Sequence, residues 1–317
     1  GHSGYLFIDG VPGGAWIALG RLAGLFAQIG IMLQIILIAR FSFIEQHFGH
    51  DKMNAIHRTL GFWLLASFVL HPLLLVIGYA VRNEQSYGSQ IASFLNDWPL
   101  VGYALLGVIL MILVGISSLS VIRSRVRYET WYSVHLLTYG AILLTFLHQT
   151  QSGDVASELP YLYWISLNGA IGFLFILYRW IRPIYLSRKH RFTIEKLVPE
   201  APGVTSVYIS GRDLKTFTYE AGQYGHIRIH NAQPRTLSER YALLFPHPFS
   251  FSKAQDGESI RFSIKSLGDF TALIPTITPG TRVTIAGPLG RLLVWLMSSP
   301  SHRTDARWRA EIMLSEG

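Results

Sequence analysis

The chain has 317 residues, of which 50% are hydrophobic and 15% charged, and its formal net charge at pH 7 is +8. Together with a mean hydropathy of +0.32, this composition is typical of a protein whose solvent is partly lipid. The chain has no cysteine, which excludes disulfides, thiolate metal sites, iron–sulfur clusters and cysteine nucleophiles, and leaves His, Met and carboxylates as ligands for any transition metal.

Five long apolar segments follow one another in the first part of the chain. Each reaches or approaches the length of about 20 residues that an α-helix needs to cross a bilayer. They lie at about residues 16–39, 55–80, 99–122, 131–149 and 159–181. The sequence therefore predicts an α-helical membrane bundle with five helices.

The loops between these segments differ in charge. The basic residues are Arg40, Lys52 and Arg58 at the first loop, Arg123, Arg125 and Arg127 in the third, and Arg179, Arg182, Arg188, Lys189 and Arg191 after the fifth segment. The fourth loop has Asp154 and Glu158 and no Lys or Arg. The positive-inside rule places the first and third loops and the C-terminal half in the cytoplasm. The positive charge is therefore interpreted as a topology signal, and no nucleic-acid partner is expected.

The sequence pattern changes after about residue 191. The runs RFTIEKLV, VTSVYIS, YGHIRIH, IRFSIK and RVTIAG are short, rich in β-branched residues and often alternating, and turn-like PEAPG, GRD, DGE and TPG separate them. Such spacing predicts a small antiparallel β-barrel. We accordingly divide the chain into a membrane domain at 1–186, a β-barrel domain at 187–290 and a tail at 291–317.

Four of the twelve histidines fall in membrane segments, where polar side chains are costly and usually functional. His57 and His71 lie on the second segment, and His135 and His148 on the fourth. Helix geometry separates the members of each pair by about 20 Å along their helix. Both helices run from cytoplasm to exterior, so we expect His57 to share an inner level with His135, and His71 an outer level with His148. Two imidazoles at each of two levels predict two bis-histidine b-type haems, because haem iron takes axial histidines.

Membrane histidines can also be structural or bind other metals. A single membrane histidine is often only a polar contact between helices, and zinc or copper would gather its ligands at one level. On an ideal helix His57 and His71 lie about 40° apart, whereas His135 and His148 lie roughly 140° apart. The haem prediction therefore requires tilt, ring orientation or a local bulge on the fourth segment.

The histidine ladder resembles the ferric reductase-like transmembrane domain that ferric reductases and NADPH oxidases share. GFWLLASFVLHPLLLVIGYA is similar to that family's first haem helix, and RYETWYSVHLLTYGAILLTFLHQ to its second. The resemblance runs from about residue 16 to residue 290. It implies six membrane helices, so we expect that one helix is missing before residue 16.

HPFSFS resembles the first flavin motif of ferredoxin-reductase-type barrels, and AGQY precedes it in the family's order. The resemblance implies that Phe249 and Ser250 pack against the isoalloxazine of FAD. It further implies that His247 reaches toward ribose or phosphate and that Ser252 assists. Pro248 belongs to the same motif.

IKSLGDFT resembles the second flavin motif. The resemblance implies that Lys265 lies near the carbonyl edge of the flavin ring. Gly268, Asp269 and the backbone up to Thr271 would offer N–H groups to the pyrophosphate, a cradle that suits an anion.

The resemblance stops after GPLG. A nicotinamide-binding domain is expected there, but residues 291–317 contain no Gly-rich phosphate loop. We therefore expect NAD(P)H to bind only if a further C-terminal domain is supplied.

Arg21 lies about 7 Å into the first segment. Snorkelling to the outer surface would explain it. The resemblance implies a catalytic role instead, in which Arg21 faces a propionate of the outer haem or the electron acceptor.

We expect an integral membrane protein of the bacterial plasma membrane with its FAD domain in the cytoplasm, a ferric reductase/NADPH oxidase-like oxidoreductase. Electrons would pass from reduced FAD through the inner and outer haems to an external acceptor, ferric iron or dioxygen. The alternative is a non-enzymatic haem relay or anchor that passes electrons to a partner such as a methionine sulfoxide reductase. HPFSFS and GDFT argue against that alternative, because a relay needs no flavin barrel.

Overall fold

The structure is a computed structural model that describes residues 10–39, 41, 44, 47–151, 158–220, 223–234 and 236–290. As far as they are described, these residues form two compact units, Gly1–Ile38 with Asn54–Phe175 and Ala39–Met53 with Ile176–Gly317. The predicted domain boundary at 186/187 lies inside the second unit. The predicted tail at 291–317 lies outside the described residues.

Helices account for most of the first unit. They are α1 (Gly14–Ile38), α2 (His50–Arg82), α3 (Tyr87–Asp97), α4 (Pro99–Ser117), α5 (Ser120–Arg123), α6 (Tyr128–Leu147) and α7 (Glu158–Ile176), with a 3₁₀ turn at His148–Gln151. Within the described ranges, five helical stretches are long and apolar enough to cross a membrane: Gly14–Ile38, Lys52–Arg82, Pro99–Ser117, Tyr128–Thr150 and Leu159–His190. The prediction of five membrane-length helices is confirmed.

α4 and α6 approach each other closely at Gly107. A Cβ at this position would lie 2.7 Å from Cγ2 of Thr145 and 2.9 Å from the backbone oxygen of Ala141. Both of these α6 residues are buried. Small residues allow membrane helices to pack backbone against backbone, so the lack of a side chain at residue 107 sets the distance between these two helices.

The second unit begins with a π-helical turn (Leu177–Ile181) and α8 (Arg182–His190). α8 ends where Arg191 adopts the left-handed conformation, with φ of 48°, and its N–H donates to the Ser187 carbonyl. This is a common way to end a helix. The side chain of Ser187 lies 3.3 Å from the hydroxyl of Thr284, which ties α8 to the last strand of the sheets.

Six antiparallel strands form two three-stranded sheets. The strands are β1 (Thr193–Ala201), β2 (Val204–Ser210), β3 (Tyr224–Ile229), β4 (His247–Ser250), β5 (Ile260–Lys265) and β6 (Val283–Leu289), with short helices α9 (Leu237–Ala242) and α10 (Asp269–Leu273) between them. The orders are β1-β2-β5 in one sheet and β4-β3-β6 in the other. The predicted antiparallel β domain is confirmed.

The two sheets meet at two seams rather than closing into a continuous barrel among the described residues. At one seam Thr193 bridges Arg282. At the other, the Ser252 N–H donates to the Arg261 carbonyl at 2.9 Å. The predicted barrel is therefore two sheets joined by a few hydrogen bonds, because the ladder is interrupted where β1 approaches β6 and where β4 leads toward β5.

A single apolar core fills the space between these sheets. β5 shows why the strands form: Ile260, Phe262 and Ile264 are buried, whereas the alternate residues point outward. β6 alternates in the same way. The most deeply buried members of this core are Phe192, Ile194, Ile209, Ala242, Phe262, Ile274, Val283 and Ile285.

We predict that Gly107→Ala lowers the free energy of unfolding by about 1–3 kcal/mol, because the added methyl group overpacks the contact with α6. Gly102→Ala on the same helix is the matched control, since a Cβ there meets no atom within 4 Å. Thermal unfolding in detergent micelles checks both variants. Equal melting temperatures for the two would contradict the close approach of α4 and α6.

Candidate functional site

The structure brings the four membrane histidines together as two pairs. The ring centroids of His57 and His135 lie 6.2 Å apart, with an angle of 65° between the ring planes. Those of His71 and His148 also lie 6.2 Å apart, at 42°. In each pair one histidine belongs to α2, and its partner belongs to α6 or to the 3₁₀ turn that follows α6. The four imidazoles are thus brought together two by two, at two separate positions in the first unit.

The end of α6 helps to reconcile the ring positions with helix geometry. α6 is α-helical to Leu147, and His148 begins the 3₁₀ turn. A 3₁₀ step turns by about 20° more than an α-helical step, which narrows the angle between His135 and His148. One such step removes only about 20° of the roughly 140° between the two residues, so the turn accounts for a small part of the difference.

His71 is oriented by the backbone of α1. Its Nδ1 lies 2.8 Å from the Gly20 carbonyl oxygen. A carbonyl can only accept, so Nδ1 carries the hydrogen and Nε2 keeps a free lone pair. The ring also lies against Gly24, where a Cβ would be 2.6 Å from Nδ1. Backbone carbonyls commonly orient metal-bound histidines in this way.

Two of the other rings have a buried Nδ1. Within the described part of the chain, Nδ1 of His57 has no hydrogen-bond partner. Nδ1 of His148 makes no hydrogen bond of good geometry, although the Thr145 backbone interacts with this ring. Buried polar atoms in native proteins are nearly always paired. Each of these rings therefore has a buried nitrogen that needs a hydrogen-bond partner, which a bound group or a neighbouring residue could supply.

A ring of hydrogen bonds follows His148. Gln28 donates to Asn168 at 2.6 Å, and Asn168 donates to the Trp164 carbonyl at 2.9 Å. The Trp164 indole donates to Gln149 at 2.8 Å, and Gln149 donates back to Gln28 at 2.9 Å. Gln28 is only 4% exposed. The closed ring links α1 and α7 to the turn that carries His148, and thereby fixes that turn.

Arg21 lies beside the contact that orients His71. It follows Gly20 directly, and its guanidinium lies 3.5 Å from the Tyr79 hydroxyl on α2. Arg21 is partly buried in the first unit. Its side chain reaches Tyr79, eight residues beyond His71 on α2.

In the second unit, Phe270 brings the two predicted flavin motifs together. It is 3% exposed and stacks on His247, with centroids 3.8 Å apart, and on Phe249 at 5.9 Å. Pro248 and Ser250 are exposed on the same strand, β4. HPFS and GDFT therefore form one continuous surface.

Two residues of this set are engaged within the protein. His247 Nε2 lies 2.9 Å from the Ala242 carbonyl, so the ring is held against the protein rather than extended outward. The N–H of Gly268 donates to the Thr271 hydroxyl at 2.9 Å, which also accepts from the N–H of Leu267 at 2.8 Å. The Gly268 amide is thus occupied by Thr271.

The remaining residues of the predicted flavin set lie around this surface. The Asp269 carboxylate accepts a hydrogen bond from Ser238. Arg261 Nε donates to the Ser252 hydroxyl at 3.2 Å. Lys265 is exposed at the end of β5. Exposed Ser250 and Lys265 are the side chains best placed to meet a ligand.

Tyr219 supports the same motif from the interior. Its ring stacks on Phe251, with centroids 4.2 Å apart and planes at 16°. Burial raises the pKa of Tyr219 above its ordinary value, and the nearby Asp256 carboxylate adds to this effect. The phenol therefore stays neutral at physiological pH.

Sequence reasoning missed the residues that orient the histidines. Gly20 acts through a backbone carbonyl, which leaves no trace in residue type. Ser118 and Trp131 contact His135, and only helix packing reveals them. Phe270 lies inside the GDFT motif. An apolar side chain beside a polar turn was the sequence signal that could have indicated its packing role.

Known proteins are similar to this chain in its membrane half and beyond. Residues 23–146 match the family described as ferric reductase like transmembrane component. This range contains His57, His71 and His135, and His148 lies two residues beyond it. The probable metalloreductase AIM14 of Eremothecium gossypii is 27% identical over 253 residues, which are 80% of this chain and 44% of that protein. The chain thus spans less than half the length of this curated relative.

Proposed function

We propose that this chain, which carries a ferric reductase-like transmembrane domain, is an oxidoreductase that passes electrons across a membrane from reduced FAD through two b-type haems to an external acceptor. The observation that carries the proposal is the pairing of His57 with His135 and of His71 with His148, each at 6.2 Å. Two such pairs on one helical bundle suit an electron-transfer chain with two redox centres.

The four imidazoles fit axial ligation of haem. His57 with His135, and His71 with His148, would each hold the iron of one b-type haem, which would supply one-electron redox chemistry. His71 is held with Nε2 unprotonated, the form that binds a metal. Among the described residues, no three His, Cys, Asp or Glu side chains converge as a metal site. The two-level arrangement therefore favours two haems over one zinc or copper ion.

The surface formed by HPFSFS and GDFT is the proposed FAD site. FAD supplies the change from hydride-pair to single-electron transfer. Phe249, backed by Phe270, offers an aromatic face, while Ser250 and Lys265 offer exposed polar groups. A non-enzymatic haem relay would not need this second unit, so the enzyme is favoured over the relay.

Ferric iron is favoured over dioxygen as the external acceptor. The similar protein of Eremothecium gossypii is described as a probable metalloreductase. Arg21 follows Gly20, the residue whose carbonyl orients His71, and a cation in this part of α1 can attract an anionic ferric chelate or a haem propionate. The charge asymmetry of the loops supports a cytoplasmic FAD domain, and the bacterial plasma membrane stays a prediction.

Electron transfer is tested in vesicles that carry the whole chain with the second unit outside and a ferric chelate trapped inside. We expect photoreduced FAD, added outside, to reduce the haems and then the trapped iron, because the route requires only the two pairs. A His71→Leu/His148→Leu double variant is the control. Trapped iron that is reduced equally in both would contradict the proposal.

Haem ligation is tested by His71→Leu, which removes one ligand of the His71–His148 pair. We expect the haem absorbance of the dithionite-reduced protein to fall by about half, since the other pair remains intact. His47→Leu, at an exposed histidine outside both pairs, should keep the full absorbance. Unchanged haem content in His71→Leu would overturn the ligand assignment.

Flavin binding is tested by Phe249→Ala and Ser250→Ala. Loss of the aromatic face or of the exposed hydroxyl should weaken noncovalent FAD retention, with haem content unchanged. Leu244→Ala, at an exposed apolar residue before the same motif, is the matched control. Fluorescence of released FAD after gel filtration measures retention. Wild-type affinity in both variants would show that FAD binds elsewhere.

A further inference from the structure

A stack of three side chains, Arg123, Trp131 and His135, ends in the His57–His135 pair. Arg123 ends α5, and its guanidinium carbon lies 4.6 Å from the centroid of the Trp131 ring. Trp131, in the first turn of α6, stacks on His135 one turn later, with centroids 5.0 Å apart and planes at 27°. The stack runs from a permanent cation through an indole to the imidazole.

Ser118 fixes how this stack is oriented. Its hydroxyl donates to the Val114 carbonyl at 2.8 Å and accepts from the Trp131 indole N–H at 3.3 Å. His135 Nδ1 lies 3.5 Å from the same oxygen. Because the single hydroxyl hydrogen is already used, the nitrogen that faces Ser118 is the one that carries a hydrogen. Nε2 of His135 is then the unprotonated nitrogen.

We propose that Trp131 and Arg123 are positioning residues for the inner pair: the indole sets the ring plane of His135, and the guanidinium favours the reduced state of the group bound between His135 and His57. The inference rests on the proposed function, since it concerns a redox group in that pair. A nearby positive charge disfavours the more positive, oxidised form of an iron centre. At a site shielded from water, this electrostatic effect is screened less than it is in bulk solvent.

The two histidine pairs differ in the side chains that surround them. In the part of the chain that the structure describes, His71 and His148 make ring contacts only with each other, and a backbone carbonyl orients His71. As far as the described residues show, a guanidinium stacked on an aromatic ring lies against the inner pair, whereas the guanidinium of Arg21, on the side of the outer pair, lies at the Tyr79 hydroxyl. The effect of Arg123 should therefore be confined to one of the two redox centres.

A merely structural role for Arg123 is the competing explanation. Its guanidinium also donates to the Val126 carbonyl at 3.3 Å, which helps to close the loop between α5 and α6. Loss of that bond would loosen the loop and lower haem content, but it would not shift a midpoint potential in proportion to charge. The potential therefore separates the two roles.

The experiment is a spectroelectrochemical titration of the whole purified chain. It is done in the His71→Leu background, where only the inner pair is complete and a single transition is expected. Arg123→Gln should lower the equilibrium constant for reduction on the order of tenfold, as removal of one partly screened charge would. That change corresponds to about 59 mV toward more negative potential for a one-electron couple. Arg123→Lys should restore most of the shift, because it keeps the charge.

Two further variants complete the design. Arg125→Gln removes an exposed charge from the same loop and should shift the potential far less. Trp131→Leu should alter the low-spin electron paramagnetic resonance signal of the inner haem, whereas Trp131→Phe, which keeps a ring, should retain it.

The outcomes distinguish the inference from the proposed function. A wild-type chain that binds no haem would overturn the proposed function and this inference with it. Bound haem with equal shifts in Arg123→Gln and Arg125→Gln would overturn the inference alone. So would an unchanged resonance signal in Trp131→Leu.

Discussion

Imidazole nitrogens inside an apolar bilayer need partners from the protein, because no water is present there to supply hydrogen bonds. The first unit meets this need for His71 with the Gly20 carbonyl, at 2.8 Å. The ring fits only because residue 24 has no side chain. α1 must therefore lie directly against α2, and Arg21, the residue after Gly20, contacts Tyr79 of α2. The packing of the first unit is in this sense dictated by the chemistry of its histidines.

The second unit is built differently, around an apolar core between two sheets. Alternating strands bury one face of each sheet, and Phe192, Ile209 and Phe262 fill the space between the faces. The motif proposed to bind FAD lies at the margin of this core, where Phe270 and Phe251 connect it to the interior. Under that proposal, a packed interior supports the surface that would meet the cofactor.

Hydrophobic patterning and helix geometry were enough to predict the architecture. The five membrane-length helices and the antiparallel strands follow from apolar segment length and from alternation, which are local properties of the chain. The spacing of His57, His71, His135 and His148 predicted which rings the structure brings near each other. The chemistry of the groups they hold stays a prediction.

What the sequence left open depends on contacts between distant residues. The 3₁₀ turn at His148 is a change of about 20° per step that no residue type announces. His247 was expected to reach toward a ligand, but the Ala242 carbonyl and Phe270 hold its ring. Local patterning also could not predict how the two sheets meet, because the pairing of β1 with β6 depends on residues about ninety positions apart.

The seams between the two sheets have a mechanical consequence. With few hydrogen bonds across them, the seams are where the second unit should open first, so their amide hydrogens should exchange with solvent before those of the ladders. HPFSFS ends at one seam, since Ser252 is the residue that reaches across to Arg261. A molecule resting on this motif would brace the seam and raise the free energy of local opening by mass action. Occupancy of the site and rigidity of the unit would then rise and fall together.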